Sequence, residues 1–266
     1  MKKYILVILI FIISIPVSYA QKTKIQHLPN RDRRTIHFGY YLSIVNNSYK
    51  VSYNAQEEWI NPTPPQEIND FFVSVDASLG FRVGFIVDYR LNKNLSLRLE
   101  PGLMSNTKEL TFVSAYFHNG ISGPDGTPVY DGTQNSIREV SGTYMHIPVL
   151  LKFSSNRYNN IRPYVIGGVS YDYNFSSNQD NKEDNYSAEF RTKTSNFMYE
   201  VGVGMDFYLP YFKFTPSIRG VFAINNELVN DEIHGYDVNG KPYSSPWTGP
   251  IDYLGTRGIF LNLAFE

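Results

Sequence analysis

From Phe81 to Leu91 every odd position is apolar (Phe81, Val83, Phe85, Val87, Tyr89, Leu91), while the even positions read Arg82, Gly84, Ile86, Asp88 and Arg90. Period two is the signature of a β-strand with one oily face and one polar or small face. The same alternation recurs in eight segments and predicts strands over 35–45, 79–91, 95–105, 140–154, 162–174, 196–208, 212–224 and 257–266. In a soluble sandwich the oily faces would form the core. Here they carry Phe, Leu, Val and Tyr at nearly every position, and the opposite faces carry charges of both signs with glycine. That suits a barrel turned inside out, with lipid outside and a packed polar interior.

The connections support this reading independently. Asn92–Asn94, Ser155–Ile161 and Leu209–Tyr211 are short, whereas 46–78, 106–139, 175–195 and 225–256 are long, polar and rich in turn residues. Outer-membrane barrels have short periplasmic turns and long external loops. The prediction is a single all-β domain over 35–266, an eight-stranded antiparallel outer-membrane β-barrel. Aromatic residues make up 15% of the chain and Tyr (21) outnumbers Phe (18), which fits interfacial girdles.

The N-terminus predicts export to the outer membrane of a diderm cell. Lys2 and Lys3 precede an apolar stretch from Tyr4 to Val17, and Ser18-Tyr19-Ala20 offers small residues at a cleavage site, so 1–20 reads as a signal peptide. Residues 21–34 then form a basic periplasmic leader with Lys22, Lys24, Arg31, Arg33 and Arg34. It reads as a solvated arm, with contact to anionic lipid or an acidic partner as the functional alternative. The chain has no cysteine, hence no disulfide and no thiolate metal site, and a formal net charge of −1 argues against nucleic acid as a partner.

The inward faces decide whether such a barrel conducts. They carry Arg82, Arg90, Arg98, Lys152, Arg162, Lys213 and Arg219 against Asp88, Glu100, Asp172, Glu200, Asp206 and Glu266. About eight strands leave a lumen only wide enough for side chains to fill. Charges in that space must pair, because a buried unpaired ion is very costly. The simplest register around Asn92–Asn94 sets Asp88 opposite Arg98. The expectation is a salt-bridged plug.

Catalytic, cofactor and metal residues are not indicated. His27, His37, His118, His146 and His234 share no metal-ligand spacing. His118 near Ser114 is the one hint of a lipid-modifying nucleophile and base. Gly202-Val203-Gly204 lies inside a strand with no following helix, so it lacks the helix end a dinucleotide loop requires. Its inward glycines read as room for large neighbours. In the long loops, Trp59 and Trp247 stand beside prolines and are candidate partner contacts, as are Arg31, Arg33 and Arg34 in the leader.

Several stretches resemble a known family. His37–Leu42 (HFGYYL) after Leu28-Pro29-Asn30, and Tyr144–Pro148 (YMHIP), look like barrels typical of Bacteroidota. Arg162–Gly168 (RPYVIGG), Glu200–Phe214 (EVGVGMDFYLPYFKF) and Arg257–Glu266 (RGIFLNLAFE) resemble the PorT (SprT) family, outer-membrane components of type IX secretion. The resemblance runs from about Leu28 to the C-terminus. It implies a non-enzymatic accessory role in exporting cargo with C-terminal sorting domains, including gliding adhesins, with other secretion components as partners. It supplies no catalytic or ligand residues. The alternatives are a surface barrel that binds external ligands through its loops and, less favoured, a lipid-modifying enzyme.

Overall fold

The structure, a computed structural model, describes residues 25–53, 72–113, 121–122, 128–130, 136–183, 185, 189–231 and 247–266. Its strands are β1 (Ile36–Tyr53), β2 (Phe72–Ala77), β3 (Leu79–Arg90), β4 (Leu95–Leu99), β5 (Gly102–Val113), β6 (Ile121–Ser122), β7 (Pro128–Tyr130), β8 (Ile137–Ser154), β9 (Ile161–Asn174), β10 (Ser195–Tyr208), β11 (Lys213–Ala223) and β12 (Ile251–Phe265). β6 and β7 pair only with each other. β2 and β3 are one wall strand broken at Ser78. β4 and β5 are another, broken at Glu100-Pro101, where Pro101 has no N–H to give a neighbour. With those joined, the wall has eight strands, all antiparallel. It closes because β1 pairs with both β12 and β3. Closure removes the strand edges that hydrocarbon could not hydrate.

The lipid-facing side follows the predicted parity. Phe38, Phe85, Leu103, Phe153, Val169, Val203 and Ile259 are all more than half exposed, while their sequence neighbours point into the lumen. Aromatic pairs mark the two ends of the apolar band. Tyr40, Phe212 and Phe214 gather on Phe265 at the short-turn end. Tyr171–Phe197 and Tyr199–Phe222 pack at the other. On the inward side, Gly84 and Gly102 face each other across β3 and β5, and a Cβ on either would meet the Tyr41 hydroxyl at 2.7 or 2.2 Å. Their lack of a side chain lets the Tyr41 ring enter the lumen and donate to the Glu100 carbonyl at 3.0 Å.

The strands continue well past their predicted ends. β1 and β8 have 18 residues each, whereas a tilted strand needs about 9–11 to cross a bilayer. The surplus lies at the long-loop end, and there the polarity of the wall reverses without a register slip. Outward positions on β1 pass from Ile36, Phe38, Tyr40, Leu42 and Ile44 to Asn46, Ser48, Lys50 and Ser52. On β5 and β8, outward Glu109 and Glu139 face each other, and Thr107 bonds Ser141 across the exposed surface at 3.0 Å. The inward face becomes apolar at the same height, where Tyr49, Leu110, Phe112, Phe190, Trp247 and Leu254 form a buried cluster. Below, the barrel is oily outside and polar inside; above, it is built like a soluble protein. The strand limits predicted at 45, 105, 140 and 257 are therefore corrected to Tyr53, Val113, Ile137 and Ile251. The lipid-facing pattern ends at those heights although the strands do not.

This reversal places the bilayer boundary within continuous strands. Single cysteines replacing Glu109 or Ser141 are expected to react with a membrane-impermeant maleimide on intact cells, and cysteines replacing Leu103 or Phe85 are not. Protection of the first pair would place the boundary higher and overturn the assignment.

Candidate functional site

The lumen at bilayer height is occupied by ions. Arg82, Arg98, Lys152, Lys213 and Arg219 are buried there with Asp88, Glu100, Asp172, Glu200, Asp206 and Glu266. Glu100 is the centre. Arg219 grips it with two bonds of 2.7 Å, and Arg98 and Arg82 approach at 3.5 and 3.4 Å. The planar guanidinium suits this bidentate grip on a carboxylate, which a lysine could not reproduce. Asp88 stands directly opposite Arg98 in the β3–β4 register and takes its Nε–H at 2.8 Å. Arg98 also reaches Glu266 at 2.5 Å, and Lys213 holds the other oxygen of that carboxylate at 2.5 Å. Lys152 donates to both oxygens of Asp206 at 2.6 and 2.9 Å.

Higher in the lumen, His146 lies between two carboxylates, Nδ1 at 2.5 Å from Asp172 and Nε2 at 2.9 Å from Glu200. Above the bilayer, Lys108 donates to the Thr256 hydroxyl, which donates in turn to Glu227. Burial holds the Glu227 carboxyl above the usual carboxylate range despite Lys108 nearby. Gly202 and Gly204 make room as the sequence suggested. A Cβ on Gly202 would meet Arg219 Cγ at 2.7 Å, and one on Gly204 would meet the Tyr164 ring at 2.4 Å.

Two of the predicted lumen ions do not join the network. Arg90 and Arg162 sit at the short-turn mouth and are spent on the leader and the turns. Arg90 donates to the Asp32 carbonyl at 2.5 Å, and Arg162 donates to the Ser155 and Lys93 carbonyls at 2.8 and 2.6 Å. The parity of these two is inward, yet each lies at the end of its strand, where the side chain bends to the rim.

The leader is likewise not a solvated arm over its described part. Residues 25–34 fold across the mouth. The His27 N–H bonds Asn160, Arg157 donates to the His27 and Leu28 carbonyls, and a short 3-10 turn covers Arg31–Arg33. Asp32 locks the turn in place. Its carboxylate accepts the Tyr208 hydroxyl at 2.6 Å and lies 3.7 Å from both Arg157 and Arg162. What remains open at this end is a polar cavity of about 30 Å³, on the order of one water.

The partner-contact candidates separate sharply. Trp247 is fully buried in the upper core with Arg138 stacked 4.9 Å from its ring, so it is corrected from a surface contact to a packing residue. Neighbouring prolines do not distinguish a ring that packs inward from one that points out. Arg33 and Arg34 are exposed at the mouth, and Arg31 is half-buried. The sequence reading missed Tyr158 and Tyr211, which stand 70% and 90% exposed on the short turns. A tyrosine within a short connection between two predicted strands was the available signal. Trp59, Ser114, His118, His234, Lys22, Lys24 and the predicted signal peptide lie outside the described residues.

Residues 19–229 match the family described as outer membrane protein beta-barrel domain. The chain belongs to that family. It is an outer-membrane barrel, in contact with membrane lipid. Solved structures similar to it include Neisserial surface protein A (7% identity, TM-score 0.38, covering 87% of this chain and 98% of that one). Others are OprG from Pseudomonas aeruginosa (9%, 0.37, 85% and 95%) and AlkL in lipid bilayers (12%, 0.41, 93% and 94%). At those scores the likeness carries no functional argument. No curated protein matches the chain.

Removing Arg98 would strip a partner from Asp88, Glu100 and Glu266 at once. Arg98→Leu is expected to lower stability by about 3–5 kcal/mol, the usual cost of breaking a buried pair from one side. It should lower the temperature at which the heat-modifiable gel shift is lost. An unchanged shift temperature would mean that solvent, not this arginine, satisfies those carboxylates. Asp32→Ala is expected to free the leader, read as faster trypsin cleavage after Arg33 and Arg34 in the folded protein. Cleavage at the wild-type rate would show the leader to be held without it.

Proposed function

We propose that this barrel is a non-enzymatic outer-membrane accessory or assembly component of type IX protein secretion, acting on other secretion components through its surfaces. The observation that carries the reading is the lumen. Glu100, Arg98 and Arg82 have no exposure at all, and a barrel of about eight strands has no further width for a passenger. Cargo therefore passes elsewhere, and this chain contributes wall, turns or loops to the machinery that passes it. The PorT-like stretches at 162–168 and 200–214 supply the secretion context.

The mouth is the surface best suited to a partner on the periplasmic side. Its described carboxylates, Asp32, Asp88, Asp206 and Glu266, are already paired with arginine or lysine, while Arg33, Arg34 and Lys93 are exposed. Tyr158 and Tyr211 add apolar contact area beside them. Aromatic and arginine side chains are the residues that most often anchor an interface. An acidic protein surface is the complement in charge.

Deletion of the coding sequence is expected to trap cargo with C-terminal sorting domains in the periplasm and to leave lipid A unchanged. Normal secretion in the deletion strain would end this reading. Altered lipid A acylation would favour a lipid-modifying enzyme, and His118→Ala would then reproduce the phenotype. Photo-crosslinkers at Arg34 and Tyr211 should capture secretion components.

A further inference from the structure

The lipid-facing wall carries a trough that the barrel itself does not require. An outward row runs in register across five strands: Phe153 opposite Val165, Val165 opposite Val203, Val203 opposite Ile218, and Ile218 opposite Leu261. All five are exposed. Two residues nearer the periplasmic mouth, the next outward positions are Pro163, Met205 and Pro216, and the surface falls inward. Two residues nearer still, Phe207, Phe214 and Phe265 follow as a half-buried aromatic row, the first pair stacked and the second tilted. Beneath the first row, over Pro163, Met205 and Pro216, lies a concavity of about 730 Å³, within the range of about 300–1,000 Å³ that ligand sites occupy.

The backbone explains the dip. The β10–β11 ladder pairs Gly204 with Ser217 and resumes at Phe207 with Phe214, skipping the Met205–Pro216 and Asp206–Thr215 pairs. Pro216 has no N–H to offer a rung. Side chains from inside replace the missing bonds. Thr215 donates to Asp206 at 3.0 Å, and the Tyr164 hydroxyl reaches the Pro216 carbonyl at 3.5 Å. Gly204 is bare so that the Tyr164 ring can close the floor from the lumen. The wall is thus thinned on its outer side and sealed on its inner side. Nothing can pass through it, yet something can lie in it.

We propose that this trough is a binding site for one acyl chain of a periplasmic-leaflet phospholipid. Its place selects the leaflet, because Met205 is the second outward residue of β10 from the periplasmic end of the apolar band. Its lining selects the chemistry. Valine, isoleucine, leucine, methionine, proline and phenylalanine offer contact to hydrocarbon, and the two serine hydroxyls in the lining do not reach out to a headgroup: Ser155 bonds the Asn156 carbonyl and Ser217 is buried on the lumen side. No lysine or arginine is among its described lining residues, so the site reads chain and not headgroup charge. This site does not depend on the secretion role.

The test is native mass spectrometry of the full chain extracted in mild detergent, with cardiolipin, phosphatidylglycerol and phosphatidylethanolamine each added. Wild type should retain one phospholipid of each kind with similar occupancy. Met205→Trp, which fills the trough, should lose that adduct at least tenfold. Val169→Trp, which places the same ring elsewhere on the lipid-facing wall with a still larger gain in volume, should keep it, with the heat-modifiable shift confirming that both variants fold. A photo-crosslinker at position 205 in intact cells should label phospholipid. Equal retention by the two variants, a free fatty acid as the only adduct, or capture of a protein at 205 would each overturn the proposal.

Discussion

Everything in this barrel depends on the inability of its lumen to hydrate charge. Glu100 has no exposed surface, so its carboxylate is met by protein groups: Arg219 grips both oxygens, and Arg98 and Arg82 crowd the same carboxylate. Each of those arginines is itself buried and needs a carboxylate in return. The demand propagates: Arg98 reaches Asp88 and Glu266, Glu266 reaches Lys213, and Arg219 comes within 3.6 Å of Glu200. The partners come from β3, β4, β10, β11, the break at Glu100-Pro101 and the C-terminal residue, so pairing is satisfied only when the ring has closed. A buried ion network is weak evidence of net stabilisation compared with an apolar filling. Its consequence here is registry. A one-residue slip would turn a strand's ions out to the lipid and its phenylalanines into the lumen.

The same chain solves the opposite problem a few residues further along. Outside the bilayer, water hydrates the outer face, and the least costly filling for the interior becomes hydrocarbon. Asn46, Ser48 and Lys50 replace the Phe38-to-Ile44 stripe on β1, while Tyr49 takes the inward position that Tyr41 and Ser43 hold below. The upper cluster around Trp247 is therefore an ordinary hydrophobic core inside a barrel wall. It fills the described lumen towards the external end, as the ions fill it at bilayer height.

This inversion also decides what could be read from the sequence. Strand parity, the closed eight-stranded ring and the Asp88–Arg98 pairing were legible, because each follows from period two and one short turn. The upper strand halves were not. A search for oily outward faces stops where those faces turn polar, and the alternation that continues past Ile44 points the other way. Trp247 was misplaced for the same reason: in a stretch taken for loop, an aromatic looks exposed, and only the inverted upper barrel gives it a core to enter. Arg90 and Arg162 were assigned inward by parity alone, which says nothing of a side chain at a strand end with a folded leader beside it. The Asp32 latch left no periodic trace, being one residue in a turn whose partners, Arg157, Arg162 and Tyr208, lie more than a hundred residues away.

With the described lumen filled along its length, the barrel presents its surroundings with surfaces, and these differ in character. The external rim is a soluble-type wall on which Asp76, Glu109 and Glu139 fall side by side in register. The lipid-facing wall is apolar and, in its periplasmic half, locally thinned at Pro216. The mouth is basic and aromatic, since the lumen and the latch consume its carboxylates and leave Arg33, Arg34 and Lys93 over. That surplus follows from the plug itself. Asp32 is spent holding the leader across the mouth and Glu266 is spent on Arg98 and Lys213, so the interactions that seal the barrel also set the charge it presents to the periplasm.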